Sequence, residues 1–139
     1  MAAEVIAGRP AAFDARAVPA VVYTHPQVAW CGLDEEGARE HAMDVEVLTF
    51  PWKASGRAMT LDETDGVTKL ICDAGSGRIL GAGIVGQEAE ALIAEAVLAI
   101  EMGARAEDLA SSIHPHPTLS ESLAEAAEMF RGRPTHLAR

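Results

Sequence analysis

The pattern that most limits the fold lies between residues 67 and 102. Val67 to Cys72 and Ile79 to Val85 are β-rich runs, separated only by the glycine-bearing turn Asp73-Ala74-Gly75-Ser76-Gly77-Arg78. Such a turn makes the two runs an antiparallel hairpin. Gln87 to Met102 follows as a helix, with Leu92, Ala96, Ala99 and Ile93, Val97, Ile100 forming a broad apolar stripe and Gly103 ending it. Three earlier runs read as strands: Ala20 to Tyr23, Val28 to Gly32 and Val45 to Phe50. Asp34 is placed to cap a short helix reaching about His41, Ala106 to Ala110 reads as another, and a last helix is expected from Thr118 to about Phe130. Strands first, helices later and hairpin links give an α+β fold: an antiparallel β-sheet of about five strands packed with three to four helices.

At 139 residues the chain has room for one ordinary domain. Residues 1–19 read as the tail of a preceding domain plus a linker, with ordered structure starting near Ala20; residues 20–131 form the domain, and 132–139 a frayed C-terminal tail. Trp52 to Asp65 reads as a long polar connection. Eleven Lys+Arg against 21 Asp+Glu give a net charge of −10, which disfavours nucleic acid and anionic membrane surfaces and suits a basic protein partner. The longest run without a polar side chain, Ile79 to Gly86, is far short of a membrane span, and residues 1–8 lack the basic and apolar regions of a secretory signal. Cys31 and Cys72 sit in apolar, strand-like runs, which suits reduced core thiols in a cytoplasmic protein, and no His cluster accompanies them to make a metal site.

Gly81-Ala82-Gly83-Ile84-Val85-Gly86 spells G-x-G-x-x-G before a helix. A dinucleotide site needs those glycines after the strand and an acidic residue at the end of a following strand. Here they lie within the strand, so close packing against the sheet is the better account.

His114-Pro115-His116-Pro117-Thr118-Leu119-Ser120-Glu121 stands out. Two His-Pro pairs hold the backbone stiff just before a helix. Two readings of Glu121 remain open. In one, Thr118 to Glu121 is a capping box, with Glu121 returning to the Thr118 backbone N–H while the histidines are surface loop residues. In the other, Glu121 accepts Nδ1–H of His116, five residues before it, leaving Nε2 to exchange a proton. The chain offers that base no nucleophile of its own, so it would have to face another domain.

This segment resembles the C-terminal signature of dihydrolipoamide dehydrogenases, within the class I pyridine nucleotide–disulfide oxidoreductases. Tyr23-Thr24-His25-Pro26-Gln27-Val28-Ala29-Trp30-Cys31-Gly32-Leu33 resembles the first strands of that family's interface (dimerisation) domain. Phe50-Pro51-Trp52-Lys53-Ala54-Ser55-Gly56-Arg57-Ala58 resembles its connecting loop, and Gly77-Arg78-Ile79-Leu80-Gly81 with Ile93 to Ala104 its hairpin and long helix. The resemblance implies a homodimer in which His116 and Glu121 serve the partner subunit's flavin–disulfide site during NAD-linked reoxidation of dihydrolipoyl groups. It implies FAD and NAD in the full-length enzyme and neither on this domain. It also implies a cis His116–Pro117 bond, with His116 and Pro117 against the partner's FAD. The family's redox cysteines lie in an FAD domain, and neither Cys31 nor Cys72 stands in for them. The fragment alone is therefore expected to be inactive. His25 stands where relatives commonly carry an acidic residue, and Tyr23 is expected to pack in the sheet or dimer.

Two other readings keep the domain and change its use. One is an acidic docking module for the basic peripheral-subunit-binding domain of an acyltransferase core. The other is the same domain from a glutathione-reductase-like enzyme.

Overall fold

A computed structural model describes residues 1–132 and 134–137. Five strands form one antiparallel sheet: β1 (Ala20–Val22), β2 (Gln27–Gly32), β3 (Val45–Pro51), β4 (Val67–Asp73) and β5 (Ile79–Gly86), in the order β1-β2-β5-β4-β3. The expected hairpin is the β4–β5 pair, closed where Asp73 Oδ1 accepts Ser76 N–H and Asp73 O accepts Gly77 N–H. β2 pairs with β1 on one side and with β5 on the other, so the N-terminal strands extend the β4–β5 hairpin on its β5 side and leave β5 at the centre of the sheet.

The helices are α1 (Ala2–Ile6), α2 (Glu35–Glu40), α3 (Gly56–Leu61), α4 (Ala89–Met102), α5 (Ala106–Ser111) and α6 (Glu121–Glu128), with 3₁₀ turns at Trp52–Ala54 and Met129–Arg131. The expected cap on α2 is present, Gly37 N–H donating to Asp34 Oδ1 at 2.7 Å. The helix count exceeds the expected three to four by α1 in the N-terminal segment and by α3, where the supposed polar connection from Trp52 to Asp65 folds. Ser55 Oγ accepts Ala58 N–H to start α3, Ala58 is buried, and Trp52 lies in the core. α6 begins at Glu121 instead of Thr118, because Thr118 to Ser120 form a turn ahead of it.

One face of the sheet carries the core. Ala29 and Cys31 of β2, Leu48 and Phe50 of β3, Leu70 and Cys72 of β4 and Ala82 and Ile84 of β5 are buried there, beneath Ile93, Ala96 and Ile100 of α4 and Leu123, Ala126 and Ala127 of α6. The opposite face is mostly uncovered over β2, β5 and β4, where Val28, Trp30, Val67, Gly83 and Val85 line a groove beside α2.

The G-x-G-x-x-G run is structural at two of its three glycines. A Cβ on Gly81 would lie 1.8 Å from the Leu33 carbonyl oxygen, and one on Gly86 would lie 2.3 Å from the Trp52 ring. Gly83 differs from the close packing expected of it: nothing stands within 4 Å, because it lies on the open face. Tyr23 falls just beyond β1 and is exposed, so within this chain it does not pack in the sheet.

The chain reaches the body of the domain before Ala20. Ala17 is buried, and Glu101 Oε1 accepts the N–H groups of Arg16 (2.8 Å) and Ala17 (3.0 Å). At the other end the expected frayed tail folds back, with Leu137 half-buried against the core. Arg133, Ala138 and Arg139 of that tail lie outside the described residues. Among the described residues no helix is long and apolar enough to cross a membrane.

Candidate functional site

The stiff segment from His114 to Pro117 crosses from α5 to α6. His116–Pro117 is cis, as is His25–Pro26. Three contacts hold the segment in place. Thr118 Oγ1 donates to the Pro115 carbonyl at 2.8 Å. His114 Nε2 lies 2.9 Å from Glu95 Oε1 on α4, and its Nδ1 lies 3.0 Å from the Ser112 carbonyl oxygen. Both nitrogens of His114 therefore face acceptors, and the ring moors the loop to the long helix.

Beneath the segment, α6 is tied to the sheet by a buried polar chain. Trp52 Nε1–H donates to Thr68 Oγ1 (2.9 Å), and the Thr68 hydroxyl donates to Ser122 Oγ (2.8 Å). Ser122 adjoins Glu121, so this chain fixes where that carboxylate starts.

Glu121 does both things that stood as alternatives. Its Oε2 accepts the Thr118 backbone N–H at 2.7 Å, and its Oε1 accepts Nδ1–H of His116 at 2.8 Å. Partial burial opposes the charged form of Glu121. The Thr118 N–H, the His116 hydrogen bond and the charge on His116 and His136 outweigh it, holding the carboxyl below its ordinary value of 4.5. An ionised carboxylate only accepts, so Nδ1 of His116 is the donor, and in the neutral ring Nε2 is the bare nitrogen. The His116 side chain is 65% exposed, so Nε2 is open to an incoming group.

Neither thiol of this chain can be that group. Burial pushes Cys31 up to about 11, against a weaker lowering by the Ala82 backbone. Burial, with the nearby Glu46 charge, pushes Cys72 up to about 12. Both lie in the sheet core as protonated thiols, inert at neutral pH. Among the described residues no group of three His, Cys, Asp or Glu is placed to hold a metal.

An amphipathic helix ordinarily turns a glutamate such as Glu125 of α6 to solvent. Glu125 is instead 6% exposed, and its partner comes from the tail: Oε2 accepts His136 N–H at 3.2 Å and Oε1 pairs with His136 Nδ1. The His136 ring lies parallel to that of His116, with centroids 6.4 Å apart. His136 and Glu125 went unnoticed as site residues because their partnership spans 11 positions and obeys no helical spacing. The only local hint is the i, i+4 placement of Glu121 and Glu125.

An antiparallel sheet with helices on one face, presenting a His–Glu pair outward with no thiol beside it among the described residues, defines an α+β domain. The match with known proteins is specific: the chain belongs to the pyridine nucleotide-disulphide oxidoreductase dimerisation domain family, whose model covers residues 18–127. It is 54% identical over 136 residues to a dihydrolipoyl dehydrogenase of Halobacterium salinarum, covering 98% of this chain and 29% of that protein. It is 50% identical over 137 residues to the dihydrolipoyl dehydrogenase of Vibrio cholerae, covering 99% and 29%. The chain thus spans under a third of the length of these relatives. Among solved structures, LpdA from Mycobacterium tuberculosis superposes with a TM-score of 0.83 at 25% identity, over 92% of this chain and 28% of that one. The HOCl-induced flavoprotein disulfide reductase RclA from Escherichia coli gives 0.84 at 30% identity, over 92% and 30%.

Proposed function

We propose that this chain is the dimerisation domain of an FAD- and NAD-dependent dihydrolipoyl dehydrogenase of the cytoplasm, and that His116 and Glu121 serve the flavin–disulfide site of the partner subunit. The observation that carries this reading is the single-sided His116 ring: Nδ1 is committed to Glu121 and Nε2 is exposed, in a chain whose own thiols are buried. Glu121 keeps the tautomer fixed and favours the imidazolium once Nε2 has taken a proton. The proton would come from a dihydrolipoyl thiol: its S–H bond breaks, the N–H bond on Nε2 forms, and the resulting thiolate is the species that attacks a disulfide.

The residues present suit contact with a flavin brought by another subunit. His116 and Pro117 are both exposed, whereas the glycines of the G-x-G-x-x-G run are filled by Trp52 and Leu33 or lie on the open sheet face. Bound FAD would supply the electron path from dithiol to NAD.

The test is His116→Gln in the full-length oxidoreductase carrying this domain. General acid–base groups contribute about 10² to 10⁴ in rate, so NAD-linked turnover of dihydrolipoamide should fall by about that factor. Turnover near wild type would remove the base role. Docking to a basic acyltransferase domain is supported by the net charge of −10 and predicts binding that weakens steeply with salt.

A further inference from the structure

We propose that His136 is a positioning residue for His116, held by Glu125 so that its ring lies parallel to the His116 imidazole. This rests on the His116–Glu121 pair described above. α6 presents two carboxylates one turn apart, and each grips a histidine by Nδ1: Glu121 takes His116, and Glu125 takes His136. The two rings lie within 8° of parallel, with centroids 6.4 Å apart, inside the range over which flat π-systems interact.

Glu125 is the stronger anchor of the two. A carboxylate 6% exposed needs partners, and both of its oxygens are met by one tail residue, through backbone N–H and ring. The two hydrogen bonds between Glu125 and one residue hold the folded-back tail against α6. His116, by contrast, is largely exposed and hangs from a single hydrogen bond to Glu121. Free rotation about its side-chain bonds would let the ring leave Glu121 and lose the Nδ1–H tautomer. The parallel ring 6.4 Å away narrows the space into which His116 can turn. His136, Glu125, Ser122, Glu121 and His116 line one small recess together with Phe50, so the tail completes a wall that the sheet begins.

Imidazole ¹⁵N spectra of this chain, recorded where both rings are neutral, test the inference. The wild type should show His116 with Nδ1 protonated and Nε2 bare. In His136→Ala the two His116 nitrogen shifts should move toward each other, as the ring spends time away from Glu121. Glu125→Leu, which unmoors His136 while keeping the site filled by an apolar side chain, should do the same and carries the test if His136→Ala fails to fold. Glu125→Gln keeps an acceptor for His136 and should keep the wild-type pattern. A wild-type His116 pattern in folded His136→Ala or Glu125→Leu overturns the positioning role and leaves the His116–Glu121 pair standing. A wild-type chain whose His116 carries its proton on Nε2 overturns the pair, and the positioning role with it.

Discussion

At Glu121 two oxygens serve two donors, and this gives a signed pH dependence. Its carboxyl titrates below the ordinary 4.5 once folded. The stability it contributes is therefore complete above that value and lost as pH falls through the lower, folded value. Glu121→Gln should flatten this acid limb of the unfolding curve, and Glu121→Ala should also remove the N-terminal anchor of α6, at about 1 kcal/mol in chemical denaturation. An acid limb unchanged in Glu121→Gln would show that the carboxylate is not held this way. The spacing of Thr118, Glu121 and His116 was readable from the sequence, but as two rival uses of one side chain; a carboxylate has room for both. Glu125 was not readable. An amphipathic stripe puts a glutamate on the wet side of a helix, and only a partner from the distant tail allows it inside.

The elements around the site are set by Trp52. Gly66 and Gly86 make room for its ring, with a Cβ at either lying within 2.4 Å of ring atoms, and Thr68 takes its N–H. Gly86→Ala should force this packing apart and cost about 1–3 kcal/mol in thermal unfolding. Gly83→Ala, on the open face of the same strand, should be neutral or stabilise by about 0.5–1 kcal/mol, since glycine weakens a strand interior. Equal losses at the two positions would refute this division of the motif. Ser122→Val should leave Thr68 without its acceptor and destabilise by about 1–3 kcal/mol. The hairpin and α4 were legible because long apolar periods and a glycine turn act locally. α3 was not, because a helix of six residues has no period to read and owes its existence to the Ser55 cap and to burial of Ala58.

At the scale of the molecule, the outward side of α4 shows Leu98 62% and Met102 76% exposed. For a dimerisation domain this is the side expected to meet a second copy, and Leu98→Glu with Met102→Glu should shift a sedimenting dimer to monomer. A dimer that persists would place the interface elsewhere. Cys31 and Cys72 should stay unreactive toward thiol reagents until the domain unfolds, since both are buried and protonated. The α+β class followed from the order of strands and helices, whereas the β2–β5 pairing did not, because it joins strands far apart in the chain. The central claim is that His116 works on chemistry brought by another subunit, and subunit mixing tests it most directly. A full-length His116→Gln subunit, dead as a homodimer, is combined with a subunit inactivated at its redox cysteines but keeping His116. If His116 acts across the interface, random mixing should restore about a quarter of wild-type dihydrolipoamide turnover, because each mixed dimer rebuilds one complete site. Mixed dimers that form and stay inactive would contradict the account.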